Sequence, residues 1–216
     1  MSSEYDLTII GGGPVGMFAA FYAGMRNAKV QLLESLPELG GQVQALYPEK
    51  LIHDIAGYPA IKGRELVAQL SEQMRQFPID VRLNSAVTDV AGTIGDFTIT
   101  TVDGQISHSK AIIIATGNGA FEPRRLAVDN ASDFEGQQLF YHIPSVDQFK
   151  DQVVLVAGGG DSAIDMALML EPVAKKVYIM HRPARFRGME QHLTLLNAPS
   201  LVAKTPFPLK TITTTL

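Results

Sequence analysis

The 216-residue chain contains no cysteine. That absence excludes disulfides, thiolate metal sites, iron–sulfur ligation and dithiol redox chemistry within these residues. A strong excess of either charge is lacking too: 18 Lys and Arg stand against 22 Asp and Glu, a formal net charge of −4. A general nucleic-acid binder needs a basic surface to release counterions, so that class is not expected. No apolar run is long enough to span a bilayer. The N-terminal MSSEYD leads directly into the apolar LTII, without the basic and apolar regions of a signal peptide. A soluble, cytoplasmic protein is expected, with no membrane or nucleic-acid partner.

What is present suffices for a packed core. Hydrophobic residues make up 46% of the chain and charged residues 19%, a balance that argues against disorder. The length fits one large domain or two small ones.

Two glycine-rich loops stand out. The first is IIGGGPVG, with Gly11, Gly13 and Gly16; the second is VLVAGGGDSA, with Gly158, Gly160 and Ala163 in the third position. Each follows an apolar strand-like run and opens a helix-like run. In such a loop the first glycine permits the tight turn and the second lets a diphosphate approach the backbone. The third lets helix and strand pack closely. The helix N-terminus adds free N–H groups and partial positive charge. Pro14 fits the first helical turn, where a missing N–H does no harm; Asp161 and Ser162 open the second helix.

The surrounding pattern places each loop in a βαβ unit. Tyr5–Ile10 reads as a buried parallel strand, a helix runs to about Arg26, and Val30–Leu33 forms the next strand. Residues 35–59 read as irregular, and Gly63–Phe77 as an amphipathic helix with Leu66, Leu70 and Met74 on one face. Short strands with turn signals follow, a small antiparallel insert returning to a buried parallel strand at Ala111–Ala115. Residues 118–151 form a polar connection and a candidate hinge. The second unit has a strand at Val153–Ala157, a helix at Asp161–Leu170 and a strand at Lys176–Met180; LVAKTPFPLKTITTTL alternates like a strand pair.

The fold class expected is α/β, with two Rossmann-like dinucleotide-binding domains. The first, residues 1–117, carries the antiparallel insert; 118–151 connects it to the second, 152–216.

The residue ending the second strand of each unit discriminates the nucleotides. Glu34 lies 18 residues beyond Gly16, where a carboxylate accepts hydrogen bonds from a ribose with free hydroxyls. The second unit has HRPARFR instead, with His181, Arg182, Arg185 and Arg187. Cationic donors suit a ribose bearing a 2′-phosphate. Site one reads as FAD or NAD, site two as NADP.

Taken together, IIGGGPVG, Glu34, the GGQ of residues 40–42, the IIIATG of 112–117, AGGGDSA and HRPARFR resemble the thioredoxin-reductase branch of the two-dinucleotide-domain flavoproteins. Members with an active dithiol carry Cys-x-x-Cys just before the second loop; this chain has FYHIPSVDQFKDQ there. It is therefore most similar to the thioredoxin-reductase-like (type 2) ferredoxin–NADP reductases.

That resemblance implies an oxidoreductase using FAD and NADPH (or NADP+). A hydride passes from NADPH to the flavin, and electrons then pass singly to ferredoxin or flavodoxin. It implies a homodimer, and no side chain acting as catalytic acid, base or nucleophile. It places FAD contacts on Glu34, Gly41, Gln42, Tyr47, Val87, Thr116, Gly117 and Phe121. NADPH contacts fall on Gly158, Gly160, Asp161, Ser162, His181, Arg182 and Arg187. Core packing is the plainer role for Val87 and Phe121. Arg124 and Arg125 read first as a solvated linker pair, with acceptor docking as the alternative role.

Two departures accompany it. The second arginine of the family pattern is Pro183 here. The family also continues further, completing the NADPH domain and returning to the FAD domain with a Gly-Asp motif, so a C-terminally truncated member is expected. Two alternatives stand beside the reductase: a non-catalytic remnant, and another NADPH-dependent flavin reductase or oxidase without a dithiol. His53, His108, His142 and His192 are isolated in sequence, and no metal is expected.

Overall fold

The computed structural model describes residues 4–119, 125–128, 130–143, 145–187, 194, 196 and 199–209. The chain divides into two compact units, Met1–Glu122 and Pro123–Leu216.

The first unit is built on a six-stranded sheet. Its strands are β1 (Glu4–Ile10), β2 (Val30–Leu33), β5 (Asp80–Arg82), β6 (Val87–Thr93), β7 (Asp96–Thr101) and β8 (Ile106–Ile114). Their order is β5-β2-β1-β8-β7-β6. The pairs β5–β2, β2–β1 and β1–β8 are parallel; β8–β7 and β7–β6 are antiparallel. A separate hairpin pairs β3 (Leu51–Ile52) with β4 (Ile61–Lys62).

Three helices accompany this sheet: α1 (Pro14–Met25), α2 (Gly41–Leu46) and α3 (Gly63–Met74). Ile9, Val30 and Leu32 meet Met17 and Ala20 of α1 and Val67 and Met74 of α3 in one apolar cluster. Burying one such side chain contributes about 1.5–3 kcal/mol. Helix α1 starts on Pro14 without a side-chain cap and ends where Asn27 turns left-handed, at φ +57°. Polar side chains are buried elsewhere on the sheet: the Thr8 and Ser107 hydroxyls donate to Gln31 Oε1 at 3.3 and 2.9 Å.

The second unit has a three-stranded parallel sheet, β11-β10-β9, formed by β9 (Val153–Ala157), β10 (Lys176–Met180) and β11 (Leu201–Lys204). Helix α4 (Asp161–Leu170) packs Ile164, Ala167 and Leu170 against Val177 and Ile179 of β10 and Leu201 of β11. Two single 3₁₀ turns, Ala131–Phe134 and Val146–Phe149, lie in the preceding polar stretch.

Several expectations change. The stretch 35–59 is not wholly irregular: it contains α2 and β3. Helix α2 has six residues, too few to display periodicity or to nucleate alone. It depends on left-handed Gly40, at φ +115°. The strand expected at Ala111–Ala115 is part of a longer one. β8 pairs antiparallel with β7 at one end and parallel with β1 at the other. Nor is it buried there: Ile114 is 74% exposed. Near the C-terminus, β11 joins β10 in parallel and residues 205–209 form no strand; the remainder of the expected strand pair, 210–216, lies outside the described residues.

Candidate functional site

Three loops of the first unit converge. Gly11 stands at φ +108°, and a Cβ on it would lie 2.5 Å from the Ala115 carbonyl oxygen and 3.1 Å from the Thr116 nitrogen. Only a bare α-carbon fits between the glycine loop and the turn after β8. A Cβ on Gly16 would lie 1.8 Å from the Gly11 oxygen, so α1 could not start so close to the loop with any other residue there. The GGQ segment lies against the same loop. Gly40 N–H donates to Gly12 O at 2.9 Å, and a Cβ on Gly41 would lie 3.1 Å from the Gly13 α-carbon. Gly117, at φ +56°, faces the Gln42 amide: its Cβ position is 3.7 Å from Nε2.

Glu34 closes one end of this cradle and is only 5% exposed. Its Oε2 accepts the Gly12 N–H at 2.6 Å; its Oε1 accepts the Leu36 N–H at 2.9 Å and the Ser35 hydroxyl at 3.0 Å. A carboxylate offers about four acceptor positions. Three are used within the chain, leaving capacity for about one further hydroxyl donor. The Ser85 N–H donates to the Glu34 carbonyl at 2.8 Å, bringing the segment that leads into Val87 beside the acid. Val87 itself is half-buried at the start of β6, beside a register shift in the β6–β7 pairing.

Tyr47 caps the C-terminus of α2 and packs partly on the core. Its surroundings are held by a buried acid that the sequence did not single out. Glu49 pairs with Arg64 and, at 3.5 Å, with Lys62. The backbone adds Gly63 N–H to Lys50 O at 3.0 Å and Arg64 N–H to Pro48 O at 2.9 Å. Phe121 lies outside the described residues, as do Arg124 and His192.

The loop of the second unit solves the same problem differently. A Cβ on Gly158 would lie 2.7 Å from the Ala163 methyl group. In the first unit the third residue is glycine because the first glycine's carbonyl crowds it. Here the third position carries a methyl, and the first residue must lack a Cβ. Gly160 is the N-cap of α4 and has no side-chain cap; Asp161 and Ser162 lie exposed in the first turn. His181 follows β10, as Glu34 follows β2, and Arg182, Arg185 and Arg187 are exposed. The basic segment returns to the loop: Arg187 N–H donates to Gly159 O at 2.6 Å, and Gly160 and Arg187 form an isolated bridge.

The sequence pattern missed the middle glycines, Gly12 and Gly159, which the motif treats as variable. Each abuts the residue ending its unit's second strand. A Cβ on Gly12 would lie 3.1 Å from Glu34 Oε2, and one on Gly159 would lie 2.1 Å from His181 Cγ. The run of three glycines in both loops was the signal that could have found them. Among the described residues, no group of three or more His, Asp or Glu is arranged to hold a metal.

The profile of the pyridine nucleotide-disulphide oxidoreductase family matches residues 5–196. The chain is 79% identical over 215 residues to a ferredoxin–NADP reductase of Lactiplantibacillus plantarum, covering 100% of this chain and 65% of that protein. It is 55% identical, with the same coverage, to a ferredoxin–NADP reductase of Levilactobacillus brevis. The chain thus spans about 65% of the length of these curated relatives. Among solved structures, Lactococcus lactis thioredoxin reductase in its FR conformation superimposes with a TM-score of 0.77 at 29% identity, covering 94% of this chain and 64% of that one.

Proposed function

The chain belongs to the pyridine nucleotide-disulphide oxidoreductase family, and we propose that it carries the FAD and NADPH sites of a ferredoxin–NADP reductase. The first unit would be the FAD-binding domain and the second the NADP-binding domain. The observation carrying this reading is the contrast at matched positions: a buried carboxylate beside Gly12, and a histidine followed by arginines beside Gly159.

The first cradle fits a flavin dinucleotide. Gly11, Gly13, Gly41 and Gly117 let the glycine loop, the GGQ segment and the turn after β8 close on one another, and the uncapped start of α1 supplies N–H groups for a diphosphate. Glu34 would accept from the adenosine ribose. Gln42 would donate to the flavin or its diphosphate, and Tyr47, Val87 and Phe121 would supply packing. In the second unit, Gly158, Gly160, Asp161 and Ser162 would form the diphosphate turn, with His181, Arg182 and Arg187 around a 2′-phosphate. When bound, the flavin supplies hydride acceptance from NADPH and single-electron release. The chain's residues bind, orient and limit water access.

The proposed electron acceptor is ferredoxin or flavodoxin; the high identity to two ferredoxin–NADP reductases supports it. A second copy of this chain is the proposed partner for α1, where Val15, Phe18, Tyr22 and Met25 are exposed at helical spacing. No helix among the described residues is long and apolar enough to cross a membrane; a cytoplasmic location is part of the proposal.

Anaerobic titration tests it. The FAD-loaded chain is mixed with NADPH or NADH while flavin absorbance is followed, then ferredoxin, flavodoxin and oxygen are compared as acceptors. Preferential bleaching by NADPH is expected. Failure to retain FAD would reject the first assignment, and equal bleaching by NADH the second. Turnover with oxygen alone would favour a flavin oxidase.

A further inference from the structure

The second loop holds an aromatic contact that the paired-motif logic does not explain. The His181 and Phe186 rings stack, with centroids 5.6 Å apart and planes inclined at 23°. Phe186 is half-buried and packs against the second core. The imidazole also lies against the bare face of Gly159: a Cβ there would fall 2.1 Å from Cγ, 2.3 Å from Nδ1 and 2.4 Å from Cδ2. The His181 backbone is fixed as well, its N–H donating to Lys204 O and its carbonyl accepting from Phe207 N–H, each at 3.0 Å. One polar atom of the ring is left over: Nε2 is buried and has no hydrogen-bond partner among the described residues.

A buried, unpaired ring nitrogen costs stability unless something bonds to it. Its position is over-determined by the glycine, the aromatic ring and two backbone bonds. Such rigidity suits a donor whose partner arrives with a ligand. We propose that Phe186 is a positioning residue for nucleotide selectivity, holding the His181 ring on Gly159 so that Nε2 meets the 2′-substituent of the adenosine ribose. This rests on the NADPH reading of the second site. Phe186 need not touch the nucleotide. It acts through His181, and Gly159 is glycine to leave the ring that position. Pro183 stands where the related pattern has an arginine, so selectivity relies more heavily on the ring and on the exposed arginines.

The test measures binding of adenosine 2′,5′-bisphosphate and 5′-AMP to the 216-residue chain by calorimetry. Wild type should prefer the bisphosphate; if it does not, the NADPH reading fails and the result stands apart from the Phe186 question. Given that preference, Phe186→Leu should lose about tenfold for the bisphosphate and leave 5′-AMP unchanged, while Phe186→Tyr retains selectivity. Gly159→Ala, which displaces the ring from the other side, should repeat the selective loss. Equal loss for both ligands, or unchanged selectivity in Phe186→Leu, would overturn the proposal. If Phe186→Leu does not fold, Gly159→Ala decides by the same criterion.

Discussion

Replacing Glu34 by glutamine removes one charge and almost no volume, and the structure indicates where the damage falls. The carboxylate accepts from Gly12 N–H on Oε2, and from Leu36 N–H and the Ser35 hydroxyl on Oε1. An amide has one oxygen. If it replaces Oε1, the Gly12 N–H faces an NH₂ group; if it replaces Oε2, the Leu36 N–H does. The serine hydroxyl can rotate, but a backbone N–H cannot. Either way one backbone donor beside a 5%-exposed side chain loses its acceptor, at a cost of about 1–3 kcal/mol. With urea m-values of about 1–3 kcal/mol per M for small proteins, the unfolding midpoint of the ligand-free first unit should fall by roughly 1 M. The proposed ribose contact adds a second effect. Losing a charged acceptor should weaken FAD binding about 10- to 100-fold, read by flavin fluorescence quenching. An unchanged urea midpoint would refute the buried-acceptor argument. A lowered midpoint with unchanged FAD affinity would refute the ribose role alone.

Other consequences are as direct. Gly16→Ala places a methyl 1.8 Å from the Gly11 oxygen, so α1 must move; we expect about 1–3 kcal/mol lost in urea unfolding, with impaired FAD binding. Ile164 is fully buried in the second unit, and Ile164→Ala should cost about 2–5 kcal/mol there, measured by the same unfolding experiment. Asp6 is held below its ordinary carboxyl value chiefly by the hydrogen bond from Lys110, and next by the Lys29 N–H. Because the folded value lies below the unfolded one, this contact stabilises above the unfolded Asp pKa and is lost as pH falls through the folded value. In Lys110→Met the Asp6 carboxyl should titrate at higher pH by NMR; an unmoved titration would show that Lys110 is not the main cause. Arg182→Ala should weaken NADP+ binding and spare NAD+, and equal loss of both would remove the arginine from phosphate recognition.

Much of the framework was legible because it is local. The strand–loop–helix borders at Val30–Leu33, Val153–Ala157, Asp161–Leu170 and Lys176–Met180 coincide with the expected ones. Glycine loops and apolar runs leave such borders few choices. Helix α2 was not legible, since six residues carry too little pattern and its entry needs the left-handed Gly40. The exposure of Ile114 was hidden as well, because an apolar run does not report what covers it.

By itself, the sequence determined two βαβ units with glycine loops, an acid ending one second strand and a basic run after the other, and no cysteine among its 216 residues. These are matters of residue type and spacing along the chain. Tertiary structure alone decided that the GGQ segment and the turn after β8 close on the first loop, that Glu49 ties down the chain around Tyr47, and that Phe186 braces His181 on Gly159. Those contacts join separate turns and strands, and they depend on which backbones and side chains the fold brings together, which order along the chain does not report.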